Sequence, residues 1–299
     1  MSPKFILGRN VLGKKINIGV YLDFDNIWGG LLRELGIDPD ERRRKGIGLL
    51  SEEISLLKKI LNEILPLAFY EGIARRFTSV SHRNYSAQVR YVKAFAVFSK
   101  LPFGDQIGDI QTILHNSGIE PFPSFIAKDT KDASDRSLIL EIVEDIFFNH
   151  LPIDIVVIGS GDVDFYPLVS FFYEHSDKSL YILSFENSKS SLYEEIPLTS
   201  SKLICLEKLK IEVETDFGIT VQKDLNWILG EEKRILLEKL YEKFSKFKEI
   251  FFRDFKAYEE KGKEVKSGLV VKRWRKQWKE KEQITFTENE INYFRSASK

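Results

Sequence analysis

Two short apolar runs constrain this chain more than anything else in it. Ile16–Leu22 (INIGVYL) and the segment 153–158 (IDIVVI) are nearly continuous stretches of aliphatic residues. Runs of this kind form strands buried on both faces, as in a parallel sheet covered by helices. The segments around them agree. Ser51 followed by Glu52 and Glu53 opens a helix with Ile54, Leu57, Leu61 and Ile64 on one face. Val89–Phe98 predicts a second strand, 109–117 a helix and 121–127 a third extended piece. Asp132 is placed to cap a helix running to about Asn149, with Leu138, Ile142, Val143 and Ile146 inward. A helix over Tyr166–His175, a strand over Leu180–Ser184 and a last one over Leu203–Leu206 complete the pattern, and residues 29–47, rich in Gly, Pro and Arg, read as an excursion. The alternation predicts an α/β fold, a parallel sheet flanked by helices, with the loops that leave the strands' C-terminal ends gathered on one edge. Ligands of such sheets bind at that edge.

The charge of the 299-residue chain sums to zero, but unevenly. Residues 231–299 hold 19 Lys/Arg against 13 Asp/Glu, and residues 1–230 hold 26 against 32. This asymmetry predicts an acidic site in the first part and a basic surface in the second. The boundaries read as a domain over 1–208, a linker over 209–230 and a basic domain over 231–299. One cysteine, Cys205, excludes an intramolecular disulfide, and four scattered histidines show no zinc spacing. No stretch at the start suits a signal peptide, and none approaches the roughly 20 apolar residues of a membrane span. The expectation is a soluble cytoplasmic protein with no membrane partner.

Carboxylates occupy the predicted sheet edge. Asp23 ends the first strand, followed by Asp25 and Asn26, and Asp162 and Asp164 follow the run 153–158. Asp135, near a helix start, is positioned to reach the same edge. Crowded carboxylates repel unless a cation lies among them, and a set of hard oxygens suits Mg²⁺ or Mn²⁺. Such an ion activates water for phosphodiester chemistry without a covalent nucleophile. Each residue also has a structural reading. Asp162 and Asp135 suit helix starts, Ser160 a helix cap and Asp25 a turn. Aspartates after two separate buried strands favour a site.

Three segments carry a resemblance. VYLDFDNIW (Val20–Trp28) resembles the opening strand of the NYN family, an apolar strand and then Asp-x-x-Asn. KDASDRSLILEIVEDI (131–146) is similar to that family's Lys-x-x-x-Asp helix start, followed by an acidic residue six positions on. IDIVVIGSGDVDFYPLV (153–169) is similar to its most specific motif, a strand followed by Ser-Gly-Asp-x-Asp-Phe-x-Pro-Leu. In order and extent, about residues 15–208, the chain resembles the LabA-like branch of the NYN domains within the PIN-like nuclease superfamily. The resemblance implies a Rossmann-like PIN fold and Mg²⁺- or Mn²⁺-dependent cleavage of RNA. It assigns Asp23, Asp135, Asp162 and Asp164 as catalytic metal ligands, with Asn26, Ser160, Asp25 and Glu141 in supporting places. Glu141 stands where the family often has Asp, and six positions on a helix turn it about 600° from Asp135, off a shared face. The path from first to second strand is longer than the family pattern leads one to expect.

From Glu231 the texture changes. Ile235, Leu236, Leu240 and Phe244 define one amphipathic helix, 251–258 a second, and Val270, Val271, Trp274 and Trp278 a third, with a short hairpin over 284–294. That outline is winged-helix-like. Lys272, Arg273, Arg275, Lys276 and Lys279 lie outside the tryptophan stripe of the third helix, where they suit phosphate contact or a solvated face. A second basic series, Arg75, Arg76, Arg83, Arg90 and Lys93, is placed to flank the acidic edge or to face solvent. The leading expectation is a metal-dependent ribonuclease with RNA, single-stranded or structured, as its partner. The rival is a non-catalytic RNA-binding or regulatory protein on the same fold. Trp28, read as an exposed aromatic, points to a homo-oligomer contact.

Overall fold

The computed structural model describes residues 14–80, 85–124, 133–195, 202–214, 218–259, 277–279 and 286–297. Six parallel strands form the main sheet: β1 (Lys14–Asp23), β2 (Tyr85–Ala96), β3 (Ile119–Pro123), β4 (Ile155–Gly159), β5 (Ser179–Ser184) and β6 (Leu203–Cys205). Their order is β3-β2-β1-β4-β5-β6, so both expected apolar runs lie side by side at the centre. All five residues of β4 are buried, as are Ile18 to Asp23 of β1. This is the doubly wound, Rossmann-like order, and the direction in which strands are added across the sheet reverses between β1 and β4.

Helices cover both faces. On one lie α1 (Phe24–Glu34) and a long helical stretch that opens as α3 (Ser51–Lys59), after the short α2 (Pro39–Arg44). That stretch passes through π-helical turns Ile60–Ile64 and Ala68–Gly72 into α4 (Ile73–Val80). With α5 (Ile110–Asn116) these helices enclose the larger core around Val20, Leu22, Leu57, Leu61 and Phe69. On the other face, α6 (Ala133–Val143) and α7 (Tyr166–His175) cover a smaller core around Tyr21, Phe95, Leu138, Ile142 and Phe172. A shift in register between Ile18 and Gly19 leaves Arg90 as an extra residue in β2. This bulge sends Tyr91 and Phe95 to the α6 face, while Val89 faces α1.

Four expectations change here. The excursion begins later than Gly29, because Gly29 and Gly30 continue α1. A Cβ on Gly30 would stand 2.6 Å from the Phe185 ring, so glycine is what lets this helix close on the sheet. Trp28 is buried, not exposed, and its indole N–H donates to the Pro102 carbonyl at 3.0 Å, which removes it as a self-contact. The stretch read as a linker is an antiparallel hairpin, β7 (Lys210–Glu214) with β8 (Thr220–Asp224), whose Ile211 enters the main core. Its alternation of apolar and polar residues is the signal of a half-buried strand.

The fourth change is C-terminal. The two helices expected over 235–258 are one, α8 (Leu225–Glu259), since no Pro and no Gly after Gly230 interrupts it. The expected final hairpin is the helix α9 (Glu288–Ala297). Thr287 starts it with a capping box. Its Oγ1 accepts from the Glu290 N–H at 3.2 Å, and the Glu290 carboxylate accepts from the Thr287 N–H at 2.6 Å. Most of the expected third helix lies outside the described residues, which show Trp278 buried with Phe247, Phe286 and Phe294. Among the described residues this region shows a long helix, a helical turn over 277–279 and a short helix, without the hairpin of the expected winged-helix outline. No helix among the described residues is long and apolar enough to cross a membrane.

Leu225, Ile228, Leu229 and Leu236 of α8 belong to the main core, so the C-terminal helices are fastened to the body. The Lys243 ammonium bridges Glu52 at 2.7 Å and the fully buried Glu290, which also accepts from Ser51 Oγ at 2.7 Å. Burial alone would raise the Glu290 pKa, but Lys243, Thr287 and Ser51 together hold it below the usual range. Its contribution is therefore present above the unfolded carboxyl pKa and is lost as pH falls through the folded one. Lys243→Met leaves that carboxylate without its cation and is expected to cost about 2 kcal/mol, read as a lower urea midpoint at pH 7.

Candidate active site

The C-terminal ends of β1 and β4 meet at the point where the strand order reverses. Leu22 is paired with Gly159, so Asp23 and Ser160 emerge together. Asp23 is the N-cap of α1, 6% exposed, and its Oδ1 accepts from the Asn26 N–H at 3.4 Å. Ser160, fully buried, donates its hydroxyl to Asp23 Oδ2 at 2.8 Å and accepts from the Asp162 N–H at 3.1 Å. Asn26 Oδ1 accepts from the Gly161 N–H at 3.0 Å. The two loops are thus tied crosswise, each by a side chain of the other. Gly161 must be glycine, because a Cβ there would stand 2.0 Å from the Ser188 carbonyl oxygen. Asp162 caps the following turn, with Oδ1 accepting from the Asp164 N–H at 3.1 Å, so its structural reading is realised together with its place at the edge.

The electrostatics single out Asp23. Burial, and next the charge of Asp135, push its carboxyl up to about 7, with Asp25 adding to the rise. The hydrogen bonds from Ser160 and Asn26 and the positive end of α1 oppose this and lose. Asp25, also raised mainly by burial, accepts from the Val97 N–H at 3.4 Å and from Ser134. It connects α1, the end of β2 and the start of α6, the helix that carries Asp135. Asp162 and Asp164 stand exposed on the same edge, and their charges act on Tyr193, whose hydroxyl donates to the Asp162 carbonyl.

The structure thus brings together Asp23, Asp25, Asp135, Asn26 and Ser160, and joins Asp162 to them through the Ser160 hydroxyl. Among the described residues, no three His, Cys, Asp or Glu side chains lie close enough to enclose a metal ion. The fit to a hard divalent cation rests on Asp23 and Asp135. They are oxygen donors, and the Asp23 carboxyl, pushed up by burial first and by the charge of Asp135 next, is one whose charged form a cation would favour.

Other expected residues lie elsewhere. Glu141 faces away from the edge, paired with Lys93, whose ammonium also binds Asp145 at 2.7 Å beneath α6. Lys93 is therefore a buried core cation and does not flank the edge. Arg75 and Arg76 belong to α4, which ends where β2 begins, and Thr78 beside them accepts from the Ala87 N–H at 3.2 Å. Ala87 is paired with Ile16 near the start of β1, so this pair is at the opposite end of the sheet from Asp23. Arg90 is exposed in the bulge, and Arg83, Lys272, Arg273, Arg275 and Lys276 lie outside the described residues, whereas Lys279 is exposed. Tyr193 and Ser134 were not singled out in the sequence. Ser134 directly precedes Asp135, the one local signal that marked it.

No curated protein matches the chain. A crystal structure of a protein of unknown function from Vibrio parahaemolyticus shares 16% identity, covering 72% of this chain and 100% of that one, with a TM-score of 0.39. The NYN domain family model matches residues 63–198, a stretch that holds β2 to β5 together with Asp135, Ser160, Asp162 and Asp164. That match makes residues 63–198, somewhat less than half of the chain, similar to the NYN domains, which belong to the PIN-like nuclease superfamily.

Proposed function

We propose that this protein hydrolyses RNA phosphodiester bonds with the help of Mg²⁺ or Mn²⁺ held at the β1–β4 edge. The observation that carries the proposal is the buried carboxyl of Asp23, raised to about 7 beside Asp135 and Asp25 at the reversal point of the sheet. NYN domains are a ribonuclease-type family, which supplies the substrate class. Asp23 and Asp135 would hold the cation, which when bound lowers the pKa of a water and stabilises charge on the departing oxygen. Ser160 keeps the Asp23 carboxylate turned to the edge by its 2.8 Å hydrogen bond. Asn26 fixes the Gly161 amide, so the loop bearing Asp162 and Asp164 cannot swing away from β1. Asp162 and Asp164, exposed on the open side, complete the oxygen set towards the substrate.

Asp162→Asn tests this directly, because Asn caps a helical turn as well as Asp does and the residue is exposed. The melting temperature should stay unchanged while Mn²⁺-dependent cleavage of single-stranded and structured RNA falls by about 10- to 100-fold. Equal cleavage by the variant would sink the assignment.

A further inference from the structure

The displaced arginines of α4 line a groove. A cavity of about 470 Å³ lies between α4 and the start of the β7–β8 hairpin, bordered by Arg75, Arg76, Thr78, Lys208, Lys210 and Gln222. Its cations come from two segments remote in sequence. Arg75 is engaged by Glu212 at 2.7 Å and reaches Glu71 at 3.8 Å. Arg76, Lys208 and Lys210 are exposed. The lysines are held in place by what lies between and beyond them, since Leu209 and Ile211 are buried in the main core. A rigid backbone therefore presents the two ammonium groups, in a part of the chain where acidic residues outnumber basic ones by 32 to 26.

The groove also has a direction. Lys208 follows β6 and acts electrostatically on Glu186, which follows β5, so this end lies near the sheet edge that carries Asp23. Arg76 and Thr78 lie at the opposite end, beside Ala87 and Ile16. From Ile16 to Asp23 the strand covers roughly 23 Å, so a ligand that reached from one end to the other would be several nucleotides long.

We propose that this groove binds the phosphate backbone of a single RNA strand on its way to or from the acidic edge. The inference rests on the ribonuclease reading for its ligand and adds a second, non-catalytic contact that makes recognition depend on strand length. Phosphates of a flexible strand are met by Lys208 and Lys210, and no base is read.

The test uses the full chain in EDTA, with fluorescence anisotropy of labelled RNA of about 20 and about 5 nucleotides over a series of salt concentrations. Lys208→Glu combined with Lys210→Glu should weaken binding of the longer RNA by about tenfold or more. It should flatten the slope of log affinity against log salt by at least about 1.4, the share of two phosphate contacts on a single strand. The native chain should bind the shorter RNA more weakly than the longer one. Equal affinity and slope for the two proteins, or no RNA binding by the native chain, would overturn the groove. Cleavage assays separate the two readings. Lost binding in the variant with no cleavage by the native chain keeps the groove and removes the nuclease. Cleavage by the native chain with unaltered binding in the variant does the reverse.

Discussion

Asp23→Asn is expected to reduce RNA cleavage by about a thousandfold or more, a barrier increase of about 4 kcal/mol, and to raise the melting temperature of the metal-free protein at alkaline pH. The second effect follows from the buried carboxyl. Its pKa is pushed up from 3.8 to about 7, by burial first and then by the charges of Asp135 and Asp25. Between these values the folded protein keeps a proton that the unfolded chain has released. Stability therefore declines as pH rises through this window, and the loss is complete above the folded pKa. At 1.36 kcal/mol per pH unit the ceiling is about 4 kcal/mol. Asn has the same shape, keeps an acceptor for the Ser160 hydroxyl and carries no charge to bury. Melting curves of the two proteins should converge near about pH 4 and separate by several degrees near about pH 8. Added Mn²⁺ should reverse the ranking. The native chain gains about 2.7 kcal/mol at a hundredfold excess over Kd, and the variant gains far less. Parallel pH profiles would show that Asp23 does not carry the shifted proton.

Lys93→Met is expected to be among the most destabilising single changes in the main domain, costing about 3–5 kcal/mol in urea unfolding. The Lys93 side chain is 10% exposed, and its ammonium is shared between Asp145, itself 5% exposed, and Glu141. Tyr21 donates to the same Asp145 oxygen at 2.8 Å, and the Tyr21, Tyr91 and Phe122 rings surround the cation. Burial alone would lower the Lys93 pKa, but the hydrogen bonds and charges of Asp145 and Glu141 more than reverse this. The lysine is thus charged throughout the neutral range, and its loss strands a buried carboxylate. Adding Asp145→Asn to the methionine variant removes the stranded charge and keeps an acceptor for Tyr21, so part of the stability should return. Strict additivity in that double-mutant cycle would refute the pairing.

The centre of this fold was legible because its strands are encoded locally. β1 and β4 are apolar on both faces, and such runs have few alternatives, so their neighbouring ends could be read together with Asp23, Ser160 and Asp162. The helix Tyr166–His175 matches its expectation residue for residue. What failed depends on the path of the chain. The sequence leaves Arg75 and Arg76 either beside the acidic edge or facing solvent, and α4 carries them to the opposite end before β2 begins, with Arg76 exposed. Lys93 alternates with apolar residues and gives no sign that it points inward, since the bulge at Arg90 resets the face of every later side chain in β2. The hairpin over 210–224 and the capping box at Thr287 did carry local signals, the first in its alternation and the second in its Thr-x-x-Glu spacing.

The central position of β1 also governs when the site comes into being. During synthesis the first strand to emerge must wait for both neighbours. Asp23 and the serine that orients it are 137 residues apart. At about 5–20 residues per second, that separation leaves the first strand without its second neighbour for roughly 7–27 seconds. The carboxylate edge therefore comes together only once Ser160 has been made, past the midpoint of the 299 residues, although β5 and β6 are still to come.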